Sequence, residues 1–311
     1  MHTRSQLKKQ LKENYQSCEF WYHCVLYLLL SIAFWPITQW FADTTQAQSR
    51  ILHAFIVIVF ATGFLIRFSK VKISAAFTLN SRARITLIAA YTLLFTGYIN
   101  QLLILKLANV SAPFFLLFNA LINISAYCLA IASVSFFLFG KHLDRIIYTI
   151  SGTFCVFLLL STLLEPLDWP LRGITGQWSA ALLGLAKQSV LLQFHPIGNG
   201  ASQLLLIVNG HTYHVATECN GFGVILTSIL ISVMLVIFRR RSYLDCILNI
   251  MTGAIVGFAF NILRIISIVM LAPLMMNHYH FMHEVIGGIT YWSCLLFVWW
   301  LFKGPVERES K

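Results

Sequence analysis

Asn220-Gly221-Phe222-Gly223-Val224-Ile225-Leu226-Thr227-Ser228-Ile229-Leu230-Ile231-Ser232-Val233-Met234-Leu235-Val236-Ile237-Phe238 carries no charge and is followed at once by Arg239-Arg240-Arg241. A helix needs about 20 such residues to cross about 30 Å of hydrocarbon. A basic cluster at one end marks the side of the membrane which that end faces. The signature recurs along the chain. Apolar runs at Trp21–Phe41, Ile51–Phe68, Ile85–Leu105, Pro113–Phe139, Ile147–Leu164, Leu244–Met275 and Glu284–Phe302 give about eight transmembrane helices in all. The run Leu244–Met275 is longer than one crossing needs, which predicts a tilt, a break, or an extension beyond the bilayer. With 58% hydrophobic and 11% charged residues over 311 positions, a soluble chain could not hide this much apolar surface. The expected fold class is therefore an all-α polytopic membrane protein.

The net charge of +11 would point to nucleic acid in a soluble protein, but here its distribution encodes topology. Arg4, Lys8, Lys9 and Lys12 precede the first span. Arg67, Lys70, Lys72, Arg82 and Arg84 lie between the second and third, and Lys141 and Arg145 between the fourth and fifth. Arg239–Arg241 follow the sixth span, and Lys303, Arg308 and Lys311 follow the eighth. Only Arg50, Lys106, Arg172, Lys187 and Arg264 fall elsewhere. The positive-inside rule then places both termini in the cytoplasm. Trp21, Trp40, Trp299 and Trp300 stand near span ends, as rings of an aromatic belt should. Residues 1–20 are too charged and too long for the start of an ordinary signal peptide, and no small-x-small cleavage site follows, so the first apolar run reads as a retained anchor.

The chain divides into a basic cytoplasmic tail at 1–20, a five-helix part at 21–164, a catalytic part at 165–303 and a cytoplasmic tail at 304–311. Within the five helices, Asn100, Gln101, Asn119 and Asn123 read as amides that bridge packed helices. The one long extracytoplasmic segment runs from Glu165 to Glu218. In it, Leu167–Arg172, with Pro170, reads as a turn, and Trp178–Leu192 as an interfacial or re-entrant helix, too short to span. Gln203–Val208 and His211–Ala216 flank Asn209-Gly210, a pair that favours a two-residue hairpin turn. A small extracytoplasmic β-hairpin is expected, with its second strand leading straight to Cys219.

Seven cysteines form no CxxC pair and no metal-type spacing. Cys24, Cys128, Cys155, Cys246 and Cys294 lie inside apolar runs and read as small fillers, and Cys18 lies just before the first. Cys219 differs, standing at the outer boundary in Thr217-Glu218-Cys219-Asn220-Gly221-Phe222-Gly223. At the start of a helix, free N–H groups and the positive dipole end favour thiolate. Gly221 and Gly223 leave room for a substrate backbone, and the nearby N–H groups suit an oxyanion. Arg264, three residues after Asn261 on one helical face, sits well inside an apolar run. That costs at least ~2.5 kcal/mol unless the charge is paired or hydrated. Snorkelling to headgroups would relieve part of it. His283 begins the last span, with Gly287 one turn later on the same face, leaving room for a neighbour. Thiol, guanidinium and imidazole at one membrane depth suit acyl transfer: a thiolate attacks a carbonyl, the histidine protonates the leaving amine, and the arginine holds developing negative charge or the sulfur.

These residues resemble the exosortase/archaeosortase membrane transpeptidases. The family's Glu-Ala-Cys-Ser-Gly-like motif looks like Thr217-Glu218-Cys219-Asn220-Gly221, its Asn-x-x-Arg motif looks like Asn261 to Arg264, and its final histidine looks like His283. Asn220 stands where serine is usual, Glu218 where alanine is, and Thr217 where glutamate is. The resemblance covers roughly 175–303. It implies a cysteine peptidase or transpeptidase of the cell membrane with Cys219, Arg264 and His283 catalytic and Glu218, Asn220, Gly221 and Asn261 supporting. Its substrates would be exported proteins with a C-terminal hydrophobic sorting tag, cleaved outside the cytoplasm through a thioacyl intermediate. Water or an amine-bearing lipid or glycan acceptor would resolve that intermediate. No cofactor, metal or nucleic acid is implied. Two other readings stay open at this point: a metal-dependent hydrolase using His278, His280 and His283 with Glu218 or His214, and a transporter or lipid-binding protein in which Asn261 and Arg264 hold an anion.

Overall fold

The computed structural model describes residues 15–47, 49–69, 80–106, 112–162, 164–196, 202–214 and 222–303. The protein is an all-α polytopic membrane protein with one small sheet. The chain forms two compact units, Met1–Leu159 and Leu160–Lys311.

The first unit contains α1 (Cys18–Ala33), α2 (Trp35–Ala47), α3 (Ser49–Ser69), α4 (Ser81–Lys106), α5 (Ala112–Phe139) and most of α6 (Asp144–Thr162). The expected first span is a pair of helices, α1 and α2, bent by 49°. Pro36 explains the bend, since it has no N–H to continue the ladder where α1 gives way to α2. The apolar part of α3, Ile51–Arg67, is shorter than a full crossing. Counted strictly, six described helices are long and apolar enough to span, or seven with the bent pair. Where they are described, the eight apolar runs are thus almost wholly helical, but they are not eight straight spans.

α4 and α5 pack closely because Gly97 leaves a notch for Asn123, whose Oδ1 lies 2.8 Å from where a Cβ on that glycine would stand. Asn123 also donates from Nδ2 to the Asn119 carbonyl at 2.9 Å. Ser133 Oγ donates to the Ala83 carbonyl at 2.7 Å and lies 3.0 Å from the Tyr27 hydroxyl, so one buried hydroxyl joins α1, α4 and α5. At one end of the unit, Arg82 pairs with Asp144 and Arg84 with Glu19. The beginnings of α1, α4 and α6 therefore meet there.

The second unit begins with α7 (Leu164–Leu185), followed by β1 (Val190–Pro196), β2 (Ser202–Val208) and β3 (His211–His214). α8 (Phe222–Arg239), α9 (Tyr243–Leu271) and α10 (Tyr279–Lys303) complete it, with two 3-10 turns, Ala272–Leu274 and Met276–His278, between the last two. Two expectations are corrected here. Leu167–Arg172 is helix rather than turn, with Pro170 inside α7; the proline gives up one ladder bond, and the apolar spacing carries the helix on through it. The interfacial helix read as Trp178–Leu192 stops at Leu185. Lys187 adopts φ 61°, its N–H donates to the Gly184 carbonyl at 3.0 Å, and the Gln188 N–H reaches the Leu183 carbonyl at 3.1 Å. That is a Schellman ending, and it turns the chain into a strand.

The expected hairpin is present with a third strand added. The sheet is antiparallel in the order β1-β2-β3, with Leu192 opposite Leu206 and Leu206 opposite Tyr213. Asn209 and Gly210 have φ 50° and 84°, the left-handed pair a tight hairpin requires. Strand alternation puts Leu204, Leu206 and Val208 on one face, where they pack with Leu183 of α7 and Ile265 and Val269 of α9. The sheet is thereby fixed to the far end of α9.

α9 is one unbroken helix of 29 residues, about 43 Å long, so the overlong run is not broken and is longer than an upright crossing needs. Ser242 caps it, accepting from the Asp245 N–H at 3.3 Å while its hydroxyl donates to that carboxylate at 2.9 Å. Its contact with α8 is a seam of small residues. A Cβ at Gly257 would lie 2.9 Å from the Ile225 Cα and 3.0 Å from Ser228 Oγ, and Gly253 abuts Ser232 and Ser228. Helices in lipid associate through such close backbone approach.

Candidate active site

Gly253, Gly257 and Asn261 follow one another at helical spacing of four, so all three face α8. Gly253 meets Ser228 and Ser232, and Gly257 meets Ile225 and Ser228. Advancing along α9 therefore steps back along α8, and by Asn261 the first turn of α8 has been reached. Asn261 is 0% exposed and Phe222, which opens α8, is 5% exposed. Asn261 is therefore a buried amide three residues before Arg264 on the same helix.

Arg264 turns toward α10. A Cβ on Gly287 would lie 2.9 Å from its Nη2 and 3.2 Å from both Cζ and Nε. Three guanidinium atoms at nearly equal distance mean that the plane lies flat on the α10 backbone. Only a residue without a side chain offers that seat. His283 is one turn earlier on the same helix, half-buried, with its ring centroid 6.1 Å from that of Tyr279. The structure thus brings Arg264 onto the helix face that begins with His283, filling the space the sequence left beside Gly287.

The sheet closes on the same place. Tyr213 of β3 packs against the buried cluster of Ile268, Ala272 and Met282, which Ile286 also joins; Met282 and Ile286 immediately precede His283 and Gly287. Burial pushes the Tyr213 phenol above its ordinary value, so it stays a neutral hydroxyl. Glu218, Cys219, Asn220 and Gly221 lie outside the described residues. The described chain leaves off at His214 at the end of β3 and resumes at Phe222.

A model of the transmembrane exosortase family matches residues 48–300. The chain belongs to this exosortase family. No curated protein and no solved structure matches it. The match reaches well beyond 175–303, the stretch whose motifs carried the resemblance, and takes in most of the first unit. Four of the five expected N-terminal spans, from Ile51 onward, therefore lie within the family match and are more than generic hydrophobic spans.

Among the described residues, no group of three or more His, Cys, Asp or Glu side chains is placed to hold a metal. His278 and His280 are exposed, and His280 instead faces Glu284, with Nδ1 3.5 Å from its carboxylate. Of the other cysteines, Cys128 and Cys294 are buried in helix packing, with Cys294 Sγ 3.2 Å from Ser228 Oγ, while Cys24, Cys155 and Cys246 are half-buried and Cys18 is exposed. Sequence reasoning did not single out Tyr213 or the Gly253–Gly257 seam. The seam was readable as small residues four apart on an apolar helix; Tyr213 carried no signal beyond its alternating position in a strand.

Proposed function

We propose that this exosortase is a membrane-embedded cysteine peptidase or transpeptidase acting on the C-terminal sorting tags of exported proteins. Cys219 is the nucleophile, Arg264 and His283 are its partners, and Asn261, Glu218, Asn220 and Gly221 support them. The observation that carries this reading is the guanidinium of Arg264 lying on Gly287, one turn from His283. An arginine so deep in an apolar helix needs a use for its charge. The α8–α9 register adds support: Arg264 lies about one turn beyond Asn261, which is already level with the start of α8, the helix that Cys219 precedes.

In the proposed reaction the Cys219 thiolate attacks the scissile carbonyl carbon and the carbonyl electrons move onto oxygen. Collapse of that adduct breaks the C–N bond, His283 protonates the departing amine, and a thioester remains on Cys219. Arg264 stabilises the oxyanion or the thiolate. Water, or an amine on a lipid or glycan acceptor, then attacks the thioester and frees the thiol. The site faces outward and both termini lie in the cytoplasm. The ion pairs that gather the beginnings of α1, α4 and α6 at one end support that topology, because it assigns all three to the same side.

The test is trapping. Candidate tagged proteins are co-expressed with the enzyme, and the peptide containing Cys219 is examined by mass spectrometry. An acyl adduct on Cys219, lost in Cys219→Ala, is expected. Tag removal that persists in Cys219→Ala would overturn the proposal.

A further inference from the structure

At the end of the second unit remote from Arg264, α8, α9 and α10 leave a cavity of about 220 Å3. Its polar wall is Arg239, Arg241, Asp245 and Asn249, and its apolar wall includes Leu301 and Phe302 from the last turn of α10. None of these residues belongs to the proposed catalytic group.

The backbone explains why two of three consecutive arginines reach the cavity. Arg240 has φ 51°, its N–H donates to the Ile237 carbonyl at 3.1 Å, and the Arg241 N–H reaches the Val236 carbonyl at 3.3 Å. This Schellman ending reverses the chain at Arg240, so Arg239 and Arg241 line one hollow while Arg240 does not. A left-handed conformation is unfavourable for a residue with a Cβ, yet an arginine occupies it here where glycine is the usual choice.

The wall chemistry selects a ligand class. Two guanidinium groups and one carboxylate leave a single positive charge, which balances the one negative charge of a phosphodiester. A free phosphomonoester, with up to two charges, would be matched less well. Guanidinium forks and a side-chain amide donate to phosphate oxygens, while Asp245 and its Ser242 partner offer acceptors to headgroup hydroxyls. The adjoining Leu301 and Phe302 suit the glycerol backbone and the first methylenes of an acyl chain. We infer that this cavity is a phospholipid headgroup site, in which Arg239 and Arg241 hold the phosphodiester and Asn249 completes the donors. By the charge-based topology it lies in the cytoplasmic leaflet, where anionic headgroups meet basic pockets between helices.

The full-length protein in a neutral maltoside detergent, stripped of lipid, provides the test. Its thermal midpoint is followed on titration with short-chain phosphatidylglycerol kept below its micelle concentration, and in parallel with inorganic phosphate. A saturable rise with the lipid but not with phosphate is expected. Arg239→Gln and Arg241→Gln should each weaken lipid binding about tenfold, the worth of a charge-assisted hydrogen bond. Arg240→Asn, which removes the same charge but leaves the cavity wall intact, should bind lipid as the parent does. Leu301→Trp, which fills the hollow without touching the charges, should abolish the rise, and it keeps the test decisive if the arginine variants fail to fold. An equal response to inorganic phosphate, or equal losses in all three arginine variants, would overturn the inference.

Discussion

Gly287 and Gly288 are adjacent glycines with opposite surroundings, and that contrast gives a sharp test of the site. A methyl group at Gly287 would stand 2.9 Å from Arg264 Nη2 and 3.2 Å from Cζ and Nε, whereas nothing lies within 4 Å of one at Gly288. Ordinary carbon contacts need about 3.5–4.0 Å, so in Gly287→Ala the guanidinium must withdraw by roughly 0.5–1 Å. Overpacking of this size costs about 1–3 kcal/mol, equivalent to about 5- to 150-fold in rate if the displaced geometry is the productive one. A shift near 1 Å at a catalytic group is sufficient to cause losses of that order. Both substitutions also raise helix propensity, by up to ~1 kcal/mol each, which offsets only part of the overpacking at Gly287. The assay is therefore tag removal from an exported reporter, normalised to enzyme abundance in the membrane. Gly287→Ala should process about 5- to 150-fold more slowly per folded molecule, and Gly288→Ala should match the parent. Equal rates for the two variants would refute a functional role for the guanidinium seat.

Other outcomes follow from the same geometry. Cys219→Ala and Arg264→Ala should each abolish processing at normal membrane abundance and His283→Ala should cripple it, while Cys24, Cys128, Cys155, Cys246 and Cys294 should tolerate Ala, as read by reporter blots. Arg264→Lys keeps the charge but loses the planar group that lies on Gly287, so processing should fall at least tenfold. Gly257→Leu drives a side chain into Ile225 and Ser228 and should reduce membrane abundance or thermal midpoint by the ~1–3 kcal/mol of an overpacked interface. Gly210→Ala, at φ 84°, should destabilise the hairpin by about 1–2 kcal/mol, seen as faster hydrogen exchange across 202–214 with α8 to α10 unaffected.

The apolar runs were legible because lipid allows only helices to cross it, so length and hydropathy decide the fold almost alone. What hydropathy cannot report is where a helix bends or how close two helices come. Pro36 was available as a signal for the bend between α1 and α2, but a window average passes over a single residue. The helix that ended at Leu185 rather than Leu192 was lost for a related reason: Lys187 supplies the left-handed cap usually given to glycine, and lysine does not announce that role. The hairpin at Asn209-Gly210 is legible because those two residues tolerate positive φ, whereas β1 is not, because its first residues, Val190–Leu192, continue the preceding apolar run Trp178–Leu192. At the site, the sequence proposed that Gly287 makes room for a neighbour, and the neighbour is Arg264. It gave no hint of Tyr213, because a tyrosine in a short strand looks the same whether it faces solvent or the end of α10.

The length of α9 works as a ruler. Arg264 follows Tyr243 by 21 residues, about 32 Å along the axis. With the Ser242 cap held at one headgroup layer, the guanidinium of an upright helix emerges at the opposite layer only when the acyl chains between them are of ordinary length. Longer chains would draw it back into hydrocarbon, and shorter ones would leave it fully hydrated. Under the proposed function and the charge-based topology, hydrophobic mismatch would thereby be coupled to the surroundings of the guanidinium, and the lipid tails of the host membrane would help to set the rate of processing.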